Sequence, residues 1–313
     1  MKKVLIIGVN GFVGTHLHNE LINYGYICYG ADLDINNKRY ENMEFSKIDI
    51  LDKELVKKTL GEIKPDFIIN LAAVSSVKLS WSIPQKTFDV NVNGAINILE
   101  SIRELELKTR LLLIGSSEQY GKIDYSKSVS EDMELKALNP YGISKATQEK
   151  VARMYVEAYG LDVIMVRAFN HIGPGQDTGF VIPDFATQLI EIENGKLEPK
   201  LFVGNLEAER DFTDVRDVVR AYRLILENGK CGEVYNVGSG KAISIRSILD
   251  ILMKICNVSI EVNIDKEKLR KIDTPKIECN NSKLISQTGW KPNFKIEDSL
   301  KDIMEFYRSK YSN

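Results

Sequence analysis

A short apolar run, Val4 to Ile7, breaks at once into glycines at Gly8, Gly11 and Gly14. That opening constrains the fold more than any other stretch. A strand that ends in a glycine turn and feeds a helix lets the backbone approach an anion closely. The helix N-terminus then adds N–H donors and the positive end of a dipole. The spacing is G-x-x-G-x-x-G, not the commoner G-x-G-x-x-G, and three glycines near a helix start also suit an ordinary turn.

The strand–helix unit then repeats along the chain. Candidate strands at Val4–Ile7, Ile27–Ala31, Glu44–Lys47, Phe67–Asn70, Arg110–Ile114 and Val163–Arg167 alternate with helical stretches. Those stretches are Gly11–Tyr24, Lys53–Glu62 behind an Asp52 cap, Val90–Leu105, and Pro140–Tyr159 closed by Gly160. Apolar strands alternating with helices predict an α/β fold, a doubly wound parallel sheet of the Rossmann kind. After Arg167 the texture turns irregular, with a further strand at Val234–Val237 and helices at Ile245–Cys256 and Ile296–Tyr307. The expected organisation is a dinucleotide-binding domain over 1–168, to which a return segment at about 212–237 also belongs. A smaller, interleaved α/β substrate lobe takes 169–211 and 238–313.

At 313 residues the chain can build a sizeable core, and a net charge of −2 gives no pull toward nucleic acid or an anionic membrane. No apolar run approaches the roughly 18 residues of a membrane span. The lysines and apolar run at the start imitate a leader, but glycine interrupts it and no small-residue cleavage site comes after. A buried first strand is expected. Cys28, Cys231, Cys256 and Cys279 are scattered, and His16, His18 and His171 lack ligand spacing. Reduced thiols in a cytoplasmic protein without a metal are the expectation.

Four places carry chemistry. Asp32 ends the second strand, 18 residues after Gly14, where a carboxylate accepts both hydroxyls of an adenosine ribose and repels a 2′-phosphate. Asp49 and Ile50 follow the third strand, where an adenine edge would rest. Tyr141 and Lys145, at i and i+4, share a helix face. A phenol needs help to exchange a proton near neutrality, and a nearby ammonium favours the phenolate. Gly115-Ser-Ser-Glu-Gln-Tyr-Gly121 follows the fifth strand at its carboxyl end, where such sheets place ligands. A hydroxyl there can hydrogen-bond a substrate oxygen, while Glu118 reads either as an acid/base or as a polar loop residue.

Gly8-x-x-Gly11-Phe-x-Gly14, Asn70-Leu-Ala-Ala73, Asn91-x-Asn93-Gly94, the Ser116 loop, Tyr141-x-x-x-Lys145 and Gly289-Trp-Lys-Pro292 together resemble the extended short-chain dehydrogenase/reductase family. The resemblance runs over essentially the whole chain. It implies a Ser116, Tyr141 and Lys145 triad, because the family's loop hydroxyl lies four residues before a tyrosine, here Tyr120. It implies NAD, with NADP as the alternative. The residues implied to hold it are Gly8, Asn10, Gly11, Phe12, Val13, Gly14, Asp32, Asp49, Ile50, Leu71, Ala72, Ala73, Asn91, Tyr141 and Lys145.

Asn170-His-Ile-Gly-Pro-Gly-Gln176 and Val203–Asp217 look like the nucleotide-sugar branch, and within it like members that reduce a GDP-linked 4-keto-6-deoxy sugar. That implies substrate contacts from Ser75, Ser117, Asn170, Val181, Arg210 and Arg270. Glu118 keeps two alternatives open, since 4,6-dehydratases carry a glutamate there to remove the C5 proton, and 4-epimerases share the frame. The family's usual homodimer, a four-helix bundle, would pair stripes marked by Ile98, Ile102 and Leu105 and by Val151, Met154, Tyr155 and Ala158.

Overall fold

The computed structural model describes residues 1–34, 40, 43–256, 258–269 and 272–311. Its first half alternates strands β1 (Lys3–Ile7), β2 (Ile27–Asp32), β3 (Glu44–Lys47), β4 (Phe67–Asn70), β5 (Arg110–Ser116) and β6 (Asp162–Ala168) with helices. These are α1 (Phe12–Asn23), α2 (Lys53–Ile63), the short α3 (Val77–Ser82) and α4 (Pro84–Phe88), α5 (Gly94–Glu104) and α6 (Pro140–Tyr159). One π-helical turn, Asp89–Asn93, joins α4 to α5.

The second half brings β7 (Asn170–Ile172), α7 (Val181–Glu193), β8 (Lys200–Val203), β9 (Glu209–Asp214), α8 (Val215–Asn228) and β10 (Val234–Val237). Next come β11 (Ala242–Ser244), α9 (Ile245–Cys256), β12 (Glu261–Ile264), β13 (Lys276–Ile277), α10 (Ser282–Thr288) and α11 (Ile296–Tyr311). Among the described residues no helix is long and apolar enough to cross a membrane.

β1 to β6 and β10 form one parallel sheet in the order β10-β6-β5-β4-β1-β2-β3. The expected doubly wound sheet is therefore present, with the strand order reversing between β1 and β4. A crevice opens there beyond the strands' carboxyl ends. The inner strands β1, β4, β5 and β6 read as nearly continuous apolar runs because both faces are covered, while the edge strand β3 does not. Val4, Ile6, Ile69 and Leu112 pack on Leu17 and Leu21 of α1 and on Val218, Tyr222 and Ile225 of α8. Leu5, Ile7, Ile68 and Leu111 pack on the opposite face against Val56 and Leu60 of α2, Ile98 and Leu99 of α5, and Ala152 and Tyr155 of α6.

That second core corrects one expectation. Ile98, Ile102 and Tyr155 are buried against the chain's own sheet, so they are not part of a free stripe. Periodicity shows that a helix has an apolar face but not what covers it. Met154 and Ala158 remain exposed.

Around β9 a mixed four-stranded sheet forms, with β7 and β13 parallel to it and β11 antiparallel; β8 and β12 make a separate parallel pair. Phe185 and Leu189 of α7, Ile248 and Leu252 of α9, and Leu300 and Ile303 of α11 close a third core. The turn after α10 packs back on the large sheet: Trp290 joins the α1–α8 core and donates through Nε1 to Asp217 O at 2.9 Å.

Candidate active site

The glycine turn after β1 is a close-approach device. Gly8 has φ +82°, and a Cβ there would sit 2.7 Å from Ala72 N, at the exit of β4. A Cβ on Gly14 would lie 2.0 Å from Val9 O, so α1 can rise off β1 only with glycine there. The N-cap of α1, Gly11, offers no side-chain acceptor; Gly14 N turns back to Gly11 O at 3.1 Å, which leaves the N–H groups of Phe12 and Val13 for a ligand. Beside them the Asp32 carboxylate is fixed by two backbone donors, Asn10 N to Oδ2 at 2.9 Å and Leu33 N to Oδ1 at 2.8 Å. Asn10 Oδ1 is buried without a hydrogen-bond partner. A backbone-lined cradle, open N–H donors and a fixed carboxylate at the next strand end fit the pyrophosphate and ribose of a dinucleotide.

The far wall is set by Asn91. Its Oδ1 accepts from Val74 N at 2.9 Å and its Nδ2 donates to Ser144 Oγ at 2.9 Å, which ties the Leu71–Ala73 segment to α6. Ser75 is exposed just beyond. Asp49 acts as a turn residue, accepting from Leu51 N at 2.9 Å, while Ile50 is buried against Gly94.

α6 begins where the sequence expects. Asn139 caps it, Oδ1 accepting from Gly142 N at 2.8 Å, and Pro140 starts the first turn without needing an N–H partner. Gly142 lets the helix meet the loop after β5, since a Cβ there would lie 2.4 Å from Glu118 O. The Ser116 side chain lies beside the Tyr141 hydroxyl and acts to lower its pKa. Ser116 Oγ also accepts from Glu118 N at 3.2 Å, and Glu118 Oε2 accepts from Asn139 Nδ2 at 2.8 Å. Lys145 Nζ donates to Ile114 O at 2.8 Å and to Gln148 Oε1 at 3.0 Å.

Burial decides the protonation of both groups. It pushes the Tyr141 phenol up to about 12, with the Ser116 side chain opposing and the Glu118 charge adding. It brings the Lys145 ammonium down to about 7. Sequence spacing suggests a phenolate favoured by its lysine; desolvation opposes that and favours the protonated phenol.

Between the β5 loop and the small sheet of β7, β9 and β13 lies a cavity lined by Ser117, Glu118, Gly121, Asn170, Arg210, Thr274 and Ile277. The fold thus brings together Ser117, Glu118, Asn170 and Arg210 from three separate segments. Arg210 is buried and pairs with Asp273, Nη2 to Oδ1 at 2.6 Å, while Nη1 reaches Glu209 O at 2.8 Å. Ser75 and Val181, which opens α7, are not in that lining, and Arg270 lies outside the described residues. Thr274, Ile277 and Asp273 escape sequence reasoning because they lie beside a two-residue strand, too short for any periodic signal.

A family model described as GDP-mannose 4,6 dehydratase matches residues 5–303. The GDP-6-deoxy-D-mannose reductase of Pseudomonas aeruginosa is 31% identical over 310 residues, spanning 99% of this chain and 98% of that protein. A solved structure of RMD from Pseudomonas aeruginosa complexed with NADPH superposes with a TM-score of 0.87 at 30% identity, over 99% of this chain and 100% of that one. The Thermus thermophilus UDP-glucose 4-epimerase complex with NAD also gives a TM-score of 0.87, at 26% identity over 98% of this chain and 99% of that one.

Proposed function

The chain belongs to the GDP-mannose 4,6-dehydratase family of extended short-chain dehydrogenases/reductases, and within it we propose that it reduces the 4-keto group of GDP-4-dehydro-6-deoxy-D-mannose to GDP-D-rhamnose, using NADH or NADPH. The observation that carries this direction is the Tyr141 phenol. Burial favours its protonated form at neutral pH and the Ser116 side chain lies beside it, so it is set to protonate an oxygen that gains charge. The full-length likeness to a GDP-6-deoxy-D-mannose reductase supports the choice of sugar.

The nicotinamide supplies the hydride when bound. Ser116 Oγ orients the keto oxygen, and its hydrogen bond strengthens as that oxygen becomes an alkoxide. Tyr141 gives the alkoxide its proton. Lys145 holds the nicotinamide ribose and stabilises the phenolate left behind. Asp32 receives the adenosine ribose, Gly8 to Gly14 take the pyrophosphate, and Asn170 and Arg210 grip the nucleotide sugar. Isolating the product tests the reading: a GDP-linked 6-deoxyhexose with a hydroxyl at C4 supports it, and recovered keto sugar opposes it.

A second reading, dehydration of GDP-mannose, is favoured by one observation. Glu118 lines the cavity that holds Asn170 and Arg210, where a carboxylate could remove a C5 proton.

In the same reading the cofactor domain is 1–168 with the return at about 212–237, and 169–211 and 238–313 form the substrate lobe, although Leu284 and Trp290 pack with the first. Two copies pair through α5 and α6 into a four-helix bundle; Ile143, Met154 and Tyr159 stay exposed along α6 in support. Sedimentation at micromolar concentration tests this, and a single 35.4 kDa species opposes it. The free thiols of Cys28, Cys231, Cys256 and Cys279 suit the cytoplasm.

A further inference from the structure

We propose that Gln119 is a positioning residue that fixes Ser116 relative to Tyr141 and Lys145 through a buried hydrogen-bonded chain ending on Arg167 and Tyr120. The inference rests on the reading that Ser116 orients the keto oxygen. One carboxamide makes both ends of the link. Gln119 Oε1 accepts from Ser116 N at 2.7 Å, and Nε2 donates to Glu149 Oε2 at 2.9 Å. Glu149 lies four residues after Lys145 and eight after Tyr141, on the same face of α6. The strand end that carries the serine is therefore joined to the helix that carries the tyrosine and lysine.

The anchor does not yield easily. Arg167 grips Glu149 with two parallel bonds, Nε to Oε2 at 2.8 Å and Nη2 to Oε1 at 2.7 Å, and Arg153 approaches the same carboxylate at 3.3 Å. Arg167 Nη1 also donates to Tyr120 OH at 2.8 Å and Glu131 O at 3.0 Å, and Tyr120 OH donates to Asn236 Oδ1 at 2.7 Å. Gln119, Tyr120 and Asn236 are wholly buried. In low dielectric, bidentate and charge-assisted bonds of this kind hold geometry tightly.

Space is reserved for the link as well. A Cβ on Gly115 would lie 2.2 Å from Gln119 Oε1, so the carboxamide occupies the volume a larger residue would need. The chemistry calls for a neutral group that accepts and donates at once. A carboxylate in its place would face Glu149 with no proton to give, and an aliphatic chain would leave both partners one bond short.

The test uses two variants of the full chain, assayed with GDP-4-keto-6-deoxymannose at temperatures where thermal scans show them folded. Gln119→Met should lower kcat about tenfold or more, since small misplacements of a reacting group are costly, while NADPH binding by fluorescence stays unchanged. Gln119→Glu should behave differently. Its carboxyl, buried against Glu149, keeps a proton at acid pH, and that form again accepts from Ser116 and donates to Glu149. Its kcat should approach wild type at acid pH and fall toward that of Gln119→Met as pH rises.

Wild-type kcat in folded Gln119→Met, or a Gln119→Glu profile that tracks wild type at every pH, overturns the proposal even if Tm drops. Should Gln119→Met not fold, the Gln119→Glu profile decides. Hydrogen exchange at the Ser116 amide needs no substrate: it should quicken in the variants, and unchanged exchange overturns the proposal. A wild-type protein inert toward the keto sugar would instead count against the functional reading, leaving exchange to judge Gln119.

Discussion

Asn139 Nδ2 donates to Glu118 Oε2 at 2.8 Å, so the Glu118 carboxylate is tied to the N-cap of the helix that carries Tyr141. Its charge helps hold the phenol protonated. Glu118→Gln keeps an oxygen for Asn139 and removes only the charge. Reduction of the keto sugar should stay within a few-fold of wild type, and its alkaline limb should move to lower pH because one cause of the raised phenol pKa is gone. A loss near the roughly 10²-fold expected of an acid–base group would make Glu118 part of the chemistry and favour the dehydratase.

Tyr141→Phe removes the proton and little else. Turnover should drop by about 10²-fold or more, while NADH and NADPH bind as before. A variant that keeps a tenth of wild-type rate would take the acid role from Tyr141.

Lys145 makes a stability prediction whose sign is set by burial. Its folded pKa, about 7, lies below the ordinary value of 10.5, so between those limits the unfolded chain binds more protons and stability rises with pH. Lys145→Met lacks that dependence. Its Tm relative to wild type should be highest at or below pH 7 and should decline as pH climbs toward 10. Scanning calorimetry over that range checks it, and a relative Tm that rises with pH contradicts it. Turnover should be lost at every pH.

The sequence conveys the large sheet well and the smaller sheets poorly, for physical reasons. Pro140 and Gly160 mark α6 to the residue because caps and breakers are local chemistry: Gly160 adopts φ +67° and ends the helix. β1, β4, β5, β6 and β10 are largely apolar and buried on both faces, which only a covered parallel sheet demands. β9, by contrast, reads Glu-Arg-Asp-Phe-Thr-Asp, yet Arg210, Asp211 and Asp214 are buried in it. Asp211 is kept by bonds from Ser239, Gly240 and Cys279, partners that no spacing reveals. The Gln119–Glu149–Arg167 chain is hidden for the same reason, since its members are 30 and 18 residues apart.

Asp32 bears on cofactor choice. Its carboxylate cannot swing away cheaply, being held by Asn10 N and Leu33 N. A 2′-phosphate beside it meets like charge, so NADH should bind at least about tenfold more tightly than NADPH. Asp32→Ala should close that gap. Tighter binding of NADPH by the wild-type protein would remove Asp32 from the ribose site and leave the other assignments standing.

Net reduction of a keto sugar is the proposed activity, and nicotinamide stoichiometry reads it out without an intermediary. Purified protein is mixed with GDP-4-keto-6-deoxymannose and NADH or NADPH, and, separately, with GDP-mannose and no added cofactor. One nicotinamide should be oxidised for each sugar consumed in the first mixture, and no reaction should occur in the second. Conversion of GDP-mannose to its 4-keto-6-deoxy product, with no net oxidation of nicotinamide in either mixture, would contradict the reductase.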